Sequence, residues 1–302
     1  MSTFSFPAQT GVASGIRVGL RDAAVRLFVA VPTSLRVWLY EHFLRLVLWL
    51  FFHLERQPIA VVSAGPSGNR FKMWLSWQSH IIYTLGIYEP GLIRLQRAIV
   101  KPGDFCIDAG AHLGYLTLFL SQLVGDSGRV ASFEPVPENF RVLQENVRIN
   151  HADNIDLQNV ALLDSAGPIK LARVAQQTLS WSTSAVNRSG EPRLEAVESR
   201  AITLDEFMAG AKRSPKFIKI DVEGAELLVL RGAAQTLQAA KPLLFLEIHN
   251  WGSAAAEEVL SYLPQLGYYG EIIGHREGEA FCLAVPIARR ALLKEIRMAA
   301  RV

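Results

Sequence analysis

The sequence predicts an α/β protein: a mostly parallel sheet flanked by helices, closed by an antiparallel pair, with a helical extension at the N-terminal side. Three observations carry this. From Phe105 onward, short apolar runs alternate with stretches of helical periodicity, the order that strand–helix–strand units produce. The first such run, Phe105-Cys106-Ile107, leads through Asp108 into a Gly110-x-x-x-Gly114 turn and then into an apolar helix opened by Tyr115. The chain has 302 residues and is 50% apolar, enough for one full α/β core and an extension.

Residues 1–57 read as the helical extension, interrupted at Pro32. Within it, residues 37–54 are polar only at Glu41, His42, Arg45 and His53. Glu41, His42 and Arg45 fall on one narrow stripe and leave a broad aromatic-rich face. The longest stretch without an ionisable residue, 46–52, is far short of a bilayer span. Three readings stay open: a helix packed on the core or on a twin subunit, an interfacial membrane helix, or a transmembrane span. Trp38 and Trp49, with Arg26, Arg36 and Arg45, speak for peripheral membrane contact through residues 37–54. Oligomeric state is equally open.

Residues 59–62 and 71–77 predict two strands joined by the Gly65-Pro66-Ser67-Gly68-Asn69 turn. A helix over 92–100 and the Lys101-Pro102-Gly103-Asp104 turn lead into the first core strand, 105–109. The second strand, 129–133, is followed by a helix over 137–150, with Pro137 tolerated in its first turn. The third strand covers 155–163, and 169–193 reads as an excursion from the core. Thr203 is placed to cap a short helix. Strand 217–221, helix 225–240, strand 243–249 and helix 254–266 follow, then a closing antiparallel pair at 268–273 and 280–285. The core is thus bounded at 58–288, and 289–302 is a basic amphipathic helix without an assigned use.

Composition narrows the function. With 31 basic and 28 acidic side chains, a net charge of +3 and no Lys/Arg block, no dedicated nucleic-acid binding is expected. Cys106 and Cys282, the only cysteines, lie in strand-like runs and read as buried thiols of an intracellular chain. No secretory signal is read at the N-terminal side, so a cytoplasmic location is expected, at the inner face of the membrane if residues 37–54 meet lipid.

The Asp108–Gly114 turn carries the chemistry. Its glycines let backbone approach a bound molecule, and the helix that follows presents unpaired N–H groups to the crevice at the strand ends. A carboxylate ahead of that turn repels a dinucleotide pyrophosphate and suits a cationic ligand such as the amino group of S-adenosylmethionine. Glu134, twenty positions after Gly114 at the end of the second strand, is placed to accept from two ribose hydroxyls. Asn159-Val160-Ala161 ends the third strand where an adenine would lie.

Phe133-Glu134-Pro135-Val136-Pro137-Glu138-Asn139, with Leu143, Asn146 and Asn150, resembles the second block of the FkbM-type methyltransferases. The run from Asp108 to Thr117 is similar to their first block, in which the position of His112 is usually Asn. Lys219-Ile220-Asp221-Val222-Glu223-Gly224-Ala225-Glu226, followed by Leu230-Arg231-Gly232-Ala233, resembles their most distinctive block, and Tyr88-Glu89-Pro90 matches an element ahead of the core. The likeness spans roughly residues 88–249; residues 1–57 inherit nothing from it. It implies a Rossmann-like class I methyltransferase fold with a seven-stranded sheet, S-adenosylmethionine as donor, and hydroxyls of sugars or secondary metabolites as acceptors. At the matched positions it implies a donor site of Tyr88, Glu89, Asp108, Gly110, His112, Gly114, Tyr115, Thr117, Glu134 and Pro135, to which Val160 and Ala161 are added.

O-methylation needs an oriented hydroxyl and a base for its proton. Lys219, Asp221 and Glu223 alternate to one side if their strand extends that far, and Glu247 and His249 end the neighbouring strand. Asp221, Glu223 or His249 could be that base or anchor the acceptor; Lys219 could equally be a structural partner of Asp221, and Glu226 reads as part of the helix. Grouped carboxylates raise a divalent metal, but Lys219 among them argues against one, and no metal is expected. Trp181-Ser182-Thr183-Ser184 is either a sugar-cleft lining or a polar loop. The expected function is an S-adenosylmethionine-dependent O-methyltransferase of a small-molecule or glycan hydroxyl. The alternative is a membrane-associated, non-catalytic scaffold or binding protein on the same fold. More distant is a nucleic-acid base methyltransferase, since Asp221-Val222-Glu223-Gly224 stands where such enzymes carry an Asn/Asp-Pro-Pro-aromatic turn.

Overall fold

Strand runs that are apolar on both faces must be covered on both faces, and here they line up in one layer. The computed structural model describes residues 27–28, 30–40, 42, 60–66, 68–75, 82–174, 182–183 and 194–301. Its contacts divide the chain into two units, Met1–Ile93 with Glu145–His151, and Arg94–Gln144 with Ala152–Val302.

The first unit holds helix α1 (Thr33–Leu39) and the antiparallel strands β1 (Ala60–Ala64) and β2 (Phe71–Leu75). Side chains pair one edge of β2. Asn146 Oδ1 accepts from the Trp74 N–H at 2.6 Å, and Asn150 brackets Lys72, accepting from its N–H at 2.9 Å and donating to its carbonyl at 2.6 Å. Of the helix expected at 37–54, only residues 37–40 and 42 are described; the rest lies outside the described residues. No helix among the described residues is long and apolar enough to cross a membrane.

From α2 (Pro90–Ile99) the chain runs through β3 (Phe105–Ala109), α3 (Tyr115–Val124), β4 (Arg129–Phe133), α4 (Pro137–Ile149), β5 (Ile155–Gln158) and the short β6 (Ala161–Leu162). There follow β7 (Gly167–Val174), β8 (Ser182–Thr183), β9 (Leu194–Ile202), α5 (Leu204–Ala209) and β10 (Phe217–Ile220). The last stretch is α6 (Glu226–Gly232), α7 (Ala234–Ala240), β11 (Leu243–His249), α8 (Ala254–Tyr262), β12 (Tyr268–Arg276), β13 (Glu279–Pro286) and α9 (Leu292–Ala300).

Seven strands form the main sheet in the order β12-β13-β11-β10-β3-β4-β5. The pairs from β5 to β11 are parallel, and β13 lies antiparallel to both β11 and β12. The chain leaves the middle of the sheet at β3, works outward to β5, then returns to β10 on the other side of β3. That reversal opens a crevice at the carboxyl ends of β3 and β10, where open α/β sheets hold ligands. This is the Rossmann-like class I methyltransferase fold expected from the sequence. Ile107, Ile218, Ile220, Leu244 and Leu246, all fully buried, form the centre of the core on one face.

Three local differences from the sequence reading have physical causes. The run 155–163 breaks after Gln158, where the Asn159 amide donates to the Glu134 carbonyl at 2.8 Å, so Ala161–Leu162 pairs with β9 instead. The excursion at 169–193 is therefore the start of a second sheet, of order β6-β9-β7-β8, whose β9 lacks the apolar run that would have announced it. The helix expected over 225–240 is split at Ala233, where φ is −110°. Thr203 does cap α5, in a reciprocal pair with Glu206. Both cysteines are buried and unbridged, and burial pushes the Cys282 thiol up to about 12.

Gly232 sits where the end of α6 meets the residue after β6: a Cβ there would fall 1.9 Å from the Leu163 carbonyl oxygen. Gly232→Ala is expected to destabilise the fold by about 1–3 kcal/mol, seen as a lower urea midpoint with an unchanged slope.

Candidate functional site

The crevice is built on a buried lysine. Lys219, on β10 and 2% exposed, pairs across the ladder with Asp108 on β3. Its Nζ lies 3.2 Å from Asp108 Oδ1 and 3.2 Å from Asp221 Oδ2, and donates to the Gly110 carbonyl at 2.8 Å. Burial alone would lower the ammonium's pKa, but Asp108, Asp221 and Glu247 outweigh it, so the pKa is raised and the charge stays on. The second oxygen of Asp108 accepts from the Thr117 hydroxyl at 2.6 Å, and Thr117 also meets Ser132 at 2.8 Å.

Asp108 is thus fully buried behind the loop, and its charge faces Lys219 rather than the crevice. Gly114, Tyr115 and Thr117 also stand behind the cavity wall and do not line it. The glycines have steric reasons. Gly110 has φ +81°, and a Cβ on it would lie 1.8 Å from the Asp221 carbonyl oxygen. Gly114 has φ +90°, and its Cβ would strike Leu143 at 2.5 Å. Both N–H groups of Gly110 and Ala111 donate to the Phe133 carbonyl, tying this loop to the tip of β4.

In front of the loop lies a cavity of about 390 Å³. Gly110, His112, Glu134, Pro135, Val160 and Ala161 line one side of it, and Asp221 and Glu223 another. Phe133, Leu162, Ile169, Leu171 and Leu228 give it apolar walls, some of them from the second sheet. Glu134 is 3% exposed. One of its oxygens accepts from the His112 N–H at 2.8 Å, and the other from the Val136 N–H at 3.0 Å and the Asn139 amide at 3.4 Å. His112 takes φ +50°, a left-handed turn that aims this N–H at the carboxylate. Burial raises Glu134 to about 7 against these hydrogen bonds and the Lys219 charge, which pull it down.

Tyr88 and Glu89 belong to the first unit, where Tyr88 meets the Tyr83 ring edge-on at 4.5 Å and Glu89 has φ +42°.

β10 ends at Ile220, one residue earlier than expected, yet Asp221 continues on the side of Lys219. Glu223 follows in a left-handed turn, φ +55°, which brings its carboxylate to 3.5 Å from His249 Nε2. Glu247, 3% exposed, is ion-paired with Arg276 and does not line the cavity. His249 Nδ1 lies 2.8 Å from Glu226, while Nε2 faces Glu223, Asp221 at 3.8 Å and Glu279 at 3.8 Å. Burial opposes a charge on the ring, but Glu226, Glu223 and Asp221 overcome it and raise His249 to about 9. Glu223 is raised to about 7, by burial first, then by Asp221, Glu279 and Glu226, against the pull of His249. Asp221, Glu247 and His249 bring ligating atoms within 4.8 Å of one another, a spacing that a divalent cation can use. Lys219 and Arg276 already supply positive charge to these carboxylates, so we read the set as an ion-pair network.

Sequence reasoning left out Asn139, Arg276 and Glu279, and assigned Glu226 to its helix alone. Asn139 and Glu226 lie inside the quoted blocks, so their positions were visible; Arg276 and Glu279 flank the hairpin turn of the closing pair and carry no local signal.

The family model described as the Methyltransferase FkbM domain matches residues 108–269. The chain belongs to the FkbM methyltransferase family. That match holds every cavity-lining residue named above. The chain is similar to a protein-L-isoaspartate O-methyltransferase of Caenorhabditis elegans, 29% identical over 81 residues, 27% of this chain and 36% of that protein. It is also similar to the hexuronic acid methyltransferase AglP of Haloferax volcanii, 29% identical over 165 residues, 53% of this chain and 62% of that protein. The match therefore spans only part of the length of these curated relatives. Among solved structures, a methyltransferase FkbM from Methylobacillus flagellatus KT aligns with a TM-score of 0.43 at 18% identity, over 69% of this chain and 53% of that one.

Replacing Lys219 by Met leaves Asp108 buried without its counter-charge. The variant is expected to lose about 3–5 kcal/mol of stability, measured by denaturant unfolding.

Proposed function

We propose that the chain is an S-adenosylmethionine-dependent methyltransferase acting on a hydroxyl of a sugar, glycan or secondary metabolite. The observation that carries this reading is Glu134, a carboxylate fixed by the His112 and Val136 N–H groups in the wall of the cavity at the switch point of the sheet. The residues fit the donor. A volume of about 390 Å³ suits a nucleoside-sized molecule, Glu134 offers acceptors for ribose hydroxyls, and Gly110 presents bare backbone to the cavity. When bound, S-adenosylmethionine supplies an electrophilic methyl group on a sulfonium.

Glu134, Pro135, Val160 and Ala161 would hold the nucleoside, with Gly110 and His112 at the turn. Gly114, Tyr115, Thr117 and Asp108 support that turn from behind, Asp108 through Lys219. Tyr88 and Glu89 enter this reading through the family resemblance. On the acceptor side Glu223 is the preferred base: it lines the cavity and its carboxyl is raised to about 7, whereas the Asp221 charge is engaged by Lys219 and His249 does not line the cavity, its Nδ1 being taken by Glu226. A sugar acceptor is supported by the hexuronic acid in the name of AglP.

Isothermal titration with S-adenosylmethionine should show binding, and Glu134→Ala should weaken it at least about tenfold; unchanged affinity would remove the ribose assignment. Because Glu134 is raised to about 7, its ionised form is complete only above that pH. Wild-type affinity should therefore be full above pH 7 and fall by about tenfold per unit below it, a dependence that Glu134→Gln abolishes.

Labelled donor incubated with fractionated extracts of the host would identify the acceptor. With that acceptor, kcat/KM should rise with pH through about 7 as Glu223 ionises. Glu223→Gln should lower kcat by roughly 10²–10⁴ and flatten this limb; a full pH profile in the variant would assign the base elsewhere.

A further inference from the structure

Glu226 opens α6 and is 2% exposed. One oxygen accepts from the Gly224 N–H at 2.9 Å and lies 2.8 Å from His249 Nδ1. With Glu226 as a carboxylate, which can only accept, a contact that short places a proton on Nδ1. Among the described residues, the other ring nitrogen faces three carboxylates: Glu223 at 3.5 Å, Asp221 at 3.8 Å and Glu279 at 3.8 Å. A lone pair on Nε2 would point into that ring of oxygens and be repelled; an N–H there is attracted by each of them.

We propose that Glu226 is a positioning residue, which, anchored on the Gly224 N–H, holds the His249 ring doubly protonated so that Nε2–H faces and fixes Glu223 at the cavity wall. The inference rests on the methyl-transfer reading for its use but not for its geometry. Glu223 stands in a left-handed turn that a glutamate adopts at a cost; Glu226 accepts from the N–H of the next residue, Gly224, and also holds the His249 ring, whose far nitrogen faces the Glu223 carboxylate. The groups that face the ring are Glu226 from α6, Asp221 and Glu223 from the segment after β10, and Glu279 from β13; Lys219 and Arg276 compensate the carboxylates behind them. His249 is accordingly raised to about 9. Its task is that of a fixed cation beside the base, with the proton of the reaction going to Glu223.

The test is the titration of the His249 ring by NMR in the full chain, assigned by comparison with His249→Gln. In the wild type the ring should stay protonated through neutral pH. Glu226→Gln keeps an acceptor for the Gly224 N–H and removes the charge, and should lower the midpoint by at least about one pH unit. A wild-type midpoint at the ordinary value of about 6.5, or a midpoint unmoved by Glu226→Gln, overturns the proposal. If the variant does not fold, the wild-type midpoint alone decides. Titration with S-adenosylmethionine on the same samples separates the two ideas: a chain that binds no donor defeats the methyl-transfer reading, whereas donor binding with an ordinary His249 defeats only this one.

Discussion

The ammonium of Lys219 is the constraint on which the crevice depends. It is buried, and a buried charge survives only where several partners hold it. Here those partners are Asp108 from β3, Asp221 after β10 and the Gly110 carbonyl from the loop between β3 and α3. One cation therefore ties the tips of the two strands that flank the switch point, and sets where the Gly110 backbone lies. The Cβ contact at Gly110 is the steric counterpart of the same closeness: the loop touches the Asp221 carbonyl with no room for a side chain.

From that closeness the cavity follows in two halves. The loop carries His112 forward to hold Glu134, so one wall presents a carboxylate to the interior. Asp221 and the turn after it carry Glu223 forward, so the opposite wall presents a second. Both carboxylates are raised toward neutrality by burial, but for different ends in the proposed reaction. Glu134 is clamped by backbone N–H groups and acts as an acceptor; Glu223 sits among like charges and a cationic ring, where a proton can come and go.

The sequence made the sheet legible because its strands are short, apolar on both faces and separated by helices of clear period. The blocks 108–117, 133–139 and 219–226 coincide with the ends of β3, β4 and β10, which lie side by side in the sheet. What could not be read was direction and partnership. Asp108 was expected to face a ligand, and only the ladder register, which sets Lys219 opposite it, turns that charge inward. The alternation of Lys219, Asp221 and Glu223 holds for the first two and then fails at the left-handed turn. Arg276 and Glu279 come from an antiparallel hairpin paired to β11, and long-range pairing of that kind leaves no mark in a local pattern. The strand β9 was missed for the related reason that its residues alternate weakly and find their partner in β7, across residues 175–193.

The anionic character expected of the crevice is present, then, but moved by one layer. Behind the loop, Asp108 is matched by Lys219 and contributes no open charge to a ligand. In front of it, the carboxylates that do line the cavity are Glu134, Asp221 and Glu223. A pyrophosphate would meet repulsion from these carboxylates wherever they are ionised, and Lys219 is held by internal partners. An acid at the end of the second strand serves a ribose in dinucleotide enzymes as well, so Glu134 speaks for a nucleoside; in the proposed reading the preference for a sulfonium over a pyrophosphate rests on Asp221 and Glu223 across the cavity, with the buried ion pair supplying the geometry.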